Sequence, residues 1–340
     1  MSASPSRPSG KKIPVLVLFG PTASGKTAIL EELFIPKDIK GYRNPAYRAE
    51  IISADSMQVY WGMDIGTAKP SPQTRARIPH HLIDIKSPAD QFNAGEFVSL
   101  AKKAIRSAAA NNALPVVSGG TGFYLKNLIM GMPETPPSDP FIRMELKSEI
   151  RKNGAAGLME ELVQKDPVSA ARIHLNDTYR LVRALEVIRQ SGRPLSSFAE
   201  NSLQAKPKRS AFRFLVLGLK REREDLYRRI NERCSRMFSD GLAEEVRRFY
   251  NNGYTPMDPG MRAIGYREFF IEDPEPQKPY NYRFTSDLAG TEALVAQNSR
   301  RYAKRQMVYF NNIPDVTWIE ETDPKAAAAA ISEKLDNFLA

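Results

Sequence analysis

The stretch "GPTASGKT" at residues 20–27 follows the apolar run "VLVLF" at 15–19 and leads straight into a helical pattern. It fits G-x-x-x-x-G-K-[ST], with Gly20, Gly25, Lys26 and Thr27 in the required places and Pro21, Thr22, Ala23 and Ser24 between them. In such a turn successive backbone N–H groups and a helix N-terminus face phosphate oxygens, the lysine adds a point charge, and the Thr27 hydroxyl can hold Mg²⁺. The constraint on the fold is severe, because a buried strand must end where a helix begins. The motif leaves open whether the phosphates belong to a nucleoside triphosphate or to another diphosphate.

Short runs of branched residues bounded by turn signals recur at 15–19, 50–55 ("EIISAD"), 81–85 ("HLIDI"), 115–120 ("PVVSGG") and 214–219 ("FLVLGL"), and they read as buried parallel strands. Helical stretches alternate with them, which predicts an α/β fold: a P-loop doubly wound parallel sheet with a helical insertion domain. The alternation breaks at the Pro-rich "MGMPETPPSDP" (130–140), and four helical segments follow before the polar "NSLQAKPKRS" (201–210). The expected organisation is a disordered lead-in at 1–13, a catalytic core at 14–138 and 206–320 ending in two long basic helices, a helical insertion at 139–205, and a terminal helix at 321–340. Within the insertion, "NDTYRLVRALEVIRQSG" starts at the capping pair Asn176 and Asp177 and stops at Gly192, with Leu181, Leu185 and Ile188 on one face and Arg180 and Arg183 on another.

The 340 residues carry 49 Lys plus Arg against 39 Asp plus Glu, a net charge of +10 that suits a polyanionic partner, nucleic acid first among them. Cys234 is the single cysteine, which excludes a disulfide framework and a Cys-rich zinc site, fits a reducing compartment, and at helical spacing in "RINERCSRMF" reads as packing. No run approaches the ~18 to 20 apolar residues that cross a bilayer. A cytoplasmic location and no membrane partner are expected.

Asp55 follows the second strand, where a carboxylate can hold Mg²⁺ through water, act as a general base, or simply cap the next turn. Asp64 is a weaker candidate of the same kind. "SGGTGFYLKNL" (118–128) puts Gly119, Gly120, Thr121 and Gly122 in a second anion-receptive turn, although a tight strand-to-helix turn needs glycine in any case. His80 and His81 are neighbours on a strand, point to opposite faces and lack a third ligand, so structural roles are favoured.

Taken in order, "GPTASGKT", "ISADSMQVYWGMDIGTAKP", "PHHLID", "GGTGFYLKNL", "NDTYRLVRALEV", "MRAIGYREF" and "YAKRQ" resemble the blocks of the tRNA dimethylallyltransferase family, in its bacterial form, over roughly residues 14 to 312. The resemblance implies transfer of a five-carbon dimethylallyl group from dimethylallyl diphosphate to N6 of adenine 37 in tRNAs that read codons starting with U, with diphosphate as the leaving group. It implies that the turn from Gly20 to Thr27 cradles that diphosphate, with Mg²⁺ at Thr27. Asp55 would be the general base, Lys26 and Arg223 would neutralise the leaving group, and Thr121 would hydrogen-bond near the reacting centre. Asp55, Ser56, Met57 and Gln58 would take the flipped adenine, with Gln58 reading its edge.

Further contacts to the anticodon stem-loop are implied at Arg143, Tyr179, Arg180, Arg183, Arg262, Gly265, Tyr266, Lys304, Arg305 and Gln306. The segment "MVYFNN" departs from the family, which usually has Trp and Arg there, and the single cysteine leaves no zinc finger of the eukaryotic kind. A monomer is expected. The competing readings are a prenyltransferase acting on free AMP or ATP, a P-loop nucleotide kinase or NTPase, and a basic RNA-binding module without catalysis.

Overall fold

The computed structural model of the protein describes residues 12–35, 48–133, 135–198, 210–273 and 282–340. Strand β1 (Ile13–Phe19) explains its own unbroken apolar run: Val15, Val17 and Phe19 enter one core while Leu16 and Leu18 enter another. A strand covered on both faces has no solvent side to demand polar residues. Around it lie β2 (Ala49–Ser53), β3 (His80–His81), β4 (Leu114–Gly119), β5 (Phe212–Leu219) and β8 (Thr317–Ile319), in the order β3-β2-β4-β1-β5-β8. All these pairings are parallel. A small antiparallel pair, β6 (Phe270–Glu272) with β7 (Tyr282–Phe284), stands apart.

The helices in chain order are α1 (Lys26–Phe34), α2 (Pro72–Arg77), α3 (Ala94–Ala110) and α4 (Gly122–Met130), then α5 (Pro140–Asn153), α6 (Ala156–Lys165), α7 (Pro167–Ala170) and α8 (Thr178–Ser191), and finally α9 (Arg223–Ser239), α10 (Leu242–Asn251), α11 (Leu288–Phe310) and α12 (Pro324–Leu339). The Leu16 face is covered by α1 and α12 through Ile29, Leu30, Ala327 and Ile331. The Val15 face is covered by α3, α4 and α10 through Phe97, Ile105, Leu125 and Val246.

The expected strand at 81–85 shrinks to two residues, because Leu82 and Asp84 take positive φ and leave extended geometry. Edge strand β8 was not anticipated, since its three residues are too few to show a period. The first of the two long basic helices is broken into α9 and α10 at Gly241, whose φ of 96° ends one helix and caps the next.

The chain divides into two compact units, one of residues 1–129 and 211–340 and the other of Met130–Ser210. In the second, Leu146, Leu158, Leu162, Leu181, Leu185 and Ile188 from α5, α6 and α8 make a separate core. That unit begins at Met130, ahead of the expected boundary at 139, because the Pro-rich stretch is fastened to α8: Arg183 donates to Thr135 Oγ1 (3.1 Å) and to the Pro136 carbonyl (2.7 Å). Residues 1–11 of the expected lead-in and 199–209 near the expected end of the insertion lie outside the described residues.

Candidate active site

Neighbouring strands β2, β4 and β1 all point their carboxyl ends the same way, so the turns that follow them converge. Ala54 N–H donates to the Ser118 carbonyl (2.8 Å) and Thr121 N–H to the Ala54 carbonyl (3.1 Å). A Cβ on Gly119 would come within 2.1 Å of the Ala54 oxygen, so this approach requires glycine. Gln306 ties the other pair of turns together, its Oε1 accepting from Thr22 N–H (2.9 Å) and its Nε2 donating to the Gly120 carbonyl (2.8 Å). Gln306, expected as an RNA contact, is buried on the cavity wall with its amide bonded to the backbone of both turns.

These turns open on a cavity of about 950 Å³ formed by the first unit alone, lined by Thr22–Thr27, Asp55–Gln58, Gly120 and residues of α9 and α11. The Lys26 ammonium bends back onto the Gly20 and Pro21 carbonyls (2.9 and 3.0 Å). Burial, reinforced by the Arg233 charge and opposed by Asp55, lowers its pKa to about 8. Ser24 Oγ is buried and unpartnered among the described residues, and no side chain caps the amides that start α1. Unpaired donors beside a cation are what an anion would satisfy.

Arg223 is not part of this cavity. It sits exposed, its guanidinium 5.2 Å from the centre of the Tyr227 ring. The cations that α9 supplies to the cavity are Arg229, whose Nε donates to the Ala23 carbonyl (3.0 Å), Arg233, whose charge faces Lys26 and Asp55, and the exposed Arg236. Arg221 Nε, just before the helix, holds the Ser24 carbonyl (2.9 Å). Positions four apart share a helix face, whereas Arg223 is turned roughly 120° from Arg229, and this spacing was the signal that singling out Arg223 overlooked.

Asp55 caps its own turn, with Oδ1 accepting from Met57 N–H (2.8 Å) and Gln58 N–H (3.3 Å), and it also lines the cavity. Tyr302, which sequence reasoning passed over, has its hydroxyl on Thr121 and Gln306, and burial together with the Asp55 charge pushes it up to about 12. It lies four residues before Gln306 in "YAKRQ", and that i, i+4 spacing was the available signal. Thr121 Oγ1 accepts from Ser56 N–H (3.1 Å). Gln58 is held by Ser53 Oγ, which donates to its Oε1 (2.9 Å), and by the Thr67 and Ala68 carbonyls, which accept from its Nε2 (3.3 Å each). Asp64, on the rim, pairs with Lys69.

The other expected RNA contacts divide. Arg262 and Arg305 are exposed on the cavity wall, Gly265 lines it, and Lys304 is exposed outside it. Tyr266 is fully buried with its hydroxyl on Glu245, so it cannot touch a ligand. In the second unit Tyr179 is exposed with the Arg143 guanidinium 5.5 Å from its ring centre. Arg180 side-chain exposure is 69%, against 24% for Arg183. Arg143 and Arg183 both grip the buried Glu186, which also accepts from Ser138 Oγ and Asp139 N–H. Burial alone would raise the Glu186 pKa, but these bonds outweigh it and hold the carboxyl below its usual value.

His80 Nδ1 donates to the Ile78 carbonyl and His81 pairs with Glu50, in keeping with structural roles, and Cys234 is buried. Within the "MVYFNN" departure Phe310 is buried against Phe19 at a ring distance of 4.8 Å, while Val308, Asn311 and Asn312 are exposed.

A sequence profile of the family described as IPP transferase matches residues 58–313. The chain belongs to the IPP transferase family. A tRNA dimethylallyltransferase of Geobacter sulfurreducens is 43% identical over 312 residues, covering 92% of this chain and 93% of that protein. A full-length tRNA isopentenylpyrophosphate transferase from Bacillus halodurans has a crystal structure similar to this one, at TM-score 0.64 and 33% identity with 97% of each chain covered. A eukaryotic dimethylallyltransferase acting on tRNA, at 22% identity and TM-score 0.71 over 96% of this chain and 80% of that one, shares the fold. Within this IPP transferase, no helix among the described residues is long and apolar enough to cross a membrane.

Proposed function

We propose that the protein transfers the dimethylallyl group of dimethylallyl diphosphate to N6 of adenine 37 in the anticodon stem-loop of tRNAs that read codons starting with U, as a cytoplasmic monomer. The observation that carries this reading is the meeting of Asp55 with Lys26 and Arg233 in one cavity, a proton acceptor beside a cluster of cations. An exocyclic adenine amine is a poor nucleophile, so its proton must leave as the C–N bond forms. In this reading Asp55 takes that proton while the bond from the allylic carbon to the diphosphate oxygen breaks. Lys26, Arg233, the α1 amides and Ser24 Oγ receive the charge that gathers on the leaving group. A flipped base filling the cavity excludes water, which would otherwise compete for the allylic carbon.

Mg²⁺ fits this arrangement. Thr27, on the cavity wall next to Lys26, is the residue that would hold the ion beside the bound diphosphate. There it would supply further charge neutralisation for the leaving group.

Labelled dimethylallyl diphosphate should mark an unmodified anticodon stem-loop carrying adenine 37 and leave the guanine 37 version unmarked. Labelling of free AMP instead would reject the RNA reading, and brisk ATP hydrolysis would point to the kinase. The relatives described above bear tRNA-transferase names, which supports neither rival.

The lowered Lys26 pKa gives binding a pH signature. Above about pH 8 the free site holds a partly neutral amine, and a bound diphosphate favours the ammonium, so binding takes up a proton and affinity falls as pH rises. Calorimetry in buffers of different ionisation enthalpy at about pH 8.5 should show roughly half a proton or more taken up per dimethylallyl diphosphate bound, and none in Lys26→Met.

The two arginines of α8 should separate. Arg180→Ala is expected to raise the KM for tRNA and lower its salt slope by about one, with thermal stability unchanged. Arg183→Ala strips a partner from buried Glu186 and should cost about 2–3 kcal/mol of stability in the second unit. Equal melting temperatures for the two variants would contradict the assignment.

A further inference from the structure

The geometry points to Glu245 as a positioning residue for the base-reading wall of the cavity, acting through the loop that holds Gln58; the inference rests on the prenyl-transfer reading of the site. Glu245 on α10 is 1% exposed and is not among the lining residues. Its Oε2 accepts from Asp64 N–H (3.0 Å) and Ile65 N–H (2.9 Å), and its Oε1 accepts from Gly66 N–H (3.2 Å) and the Tyr266 hydroxyl (2.5 Å). A buried carboxylate held by amides and a phenol is costly to desolvate, and four donors are what make it tolerable. An apolar side chain would pack on α10 without that cost, but it would leave three consecutive amides unsatisfied.

What those amides hold is the wall itself. Residues Asp64–Pro70 line the cavity, and the Tyr266 ring presses on Gly66 so closely that a Cβ there would lie 2.4 Å from it. Directly beyond, the Thr67 and Ala68 carbonyls grip the Gln58 amide. The loop is further pinned by Ala68 N–H on the Ile65 carbonyl (2.9 Å) and Lys69 N–H on the Asp64 carbonyl (3.0 Å), so a shift at one end reaches the other. The phosphate turn is fixed by a different set, Arg221, Arg229 and Gln306, none of which hydrogen-bonds to Glu245. The wall loop and the phosphate turn are therefore held by different side chains, and disturbing Glu245 should loosen the first more than the second.

The test uses full-length wild type, Glu245→Gln and Tyr266→Phe. Glutamine keeps one oxygen for two of the amides and turns an NH₂ group toward the others. In Glu245→Gln the KM for an adenine 37 stem-loop is expected to rise about tenfold or more, while the Kd for dimethylallyl diphosphate alone stays within about twofold. Amide hydrogen exchange should accelerate over residues 63–69 and stay unchanged over 18–27. Tyr266→Phe, which removes one donor, should move the same quantities in the same direction by less. Equal weakening of both substrates, exchange gained equally in both segments, no change in any of these, or loss of a cooperative thermal transition in Glu245→Gln each overturns the proposal. Diphosphate affinity and exchange are read without RNA, so a wild type that fails to modify the stem-loop would reject the function and still leave the Glu245 result readable.

Discussion

Asp55→Asn should lower the rate of prenyl transfer by about 10²- to 10⁴-fold while leaving stem-loop affinity within a few fold. Asparagine is the informative replacement, because Asp55 Oδ1 also caps the turn through Met57 and Gln58 N–H. An asparagine oxygen can keep both bonds, so the adenine loop retains its shape and only the capacity to accept a proton is lost. Alanine would remove base and cap together and confound the two. Single-turnover transfer with labelled donor, beside a filter-binding measurement on the same stem-loop, separates the outcomes. Normal turnover in Asp55→Asn would end the assignment of Asp55 as the base.

Arg233→Met should cost about 10²- to 10³-fold in turnover, the size expected for removing one preorganised charge from a developing anion. Arg229 and Arg221 make poorer tests, because each also holds a P-loop carbonyl and its loss would distort the turn. Arg233 has no hydrogen-bond partner among the described residues, and burial lowers its pKa against the pull of Asp55, so its charge is free for the substrate. Removing it should also raise the Lys26 pKa, since the Arg233 charge is one cause of its lowering. An Arg223→Met control should be nearly silent, given that side chain's place over Tyr227 in solvent. If Arg223→Met were the damaging change and Arg233→Met were silent, the leaving-group assignment would be reversed.

The phosphate turn and the parallel sheet were legible in the sequence because each rests on local spacing: a glycine turn between strand and helix, and apolar runs with no polar alternation. Asp55 was legible for the same reason, as the carboxylate just beyond a strand. What was not legible is what a partner distant in sequence decides. Gln306 lines the cavity but is also clasped by Thr22 and Gly120, and Tyr266, expected as a contact, is buried on Glu245. Arg183 shares a helix with Arg180, but only the burial of Glu186 shows that one arginine is structural. Arg223 was chosen over Arg229 and Arg233 because the i, i+4 spacing of that pair, beside the buried stripe Leu226, Ile230, Cys234 and Met237, was overlooked.

The Gln306 amide carries an implication of its own. A single side chain bridges the phosphate turn and the turn that carries Thr121, and it does so from a helix that also bears Arg305 on the cavity wall and Lys304 outside it. In the proposed reaction, an acceptor docked along this helix would bear on the same side chain that holds the phosphate turn.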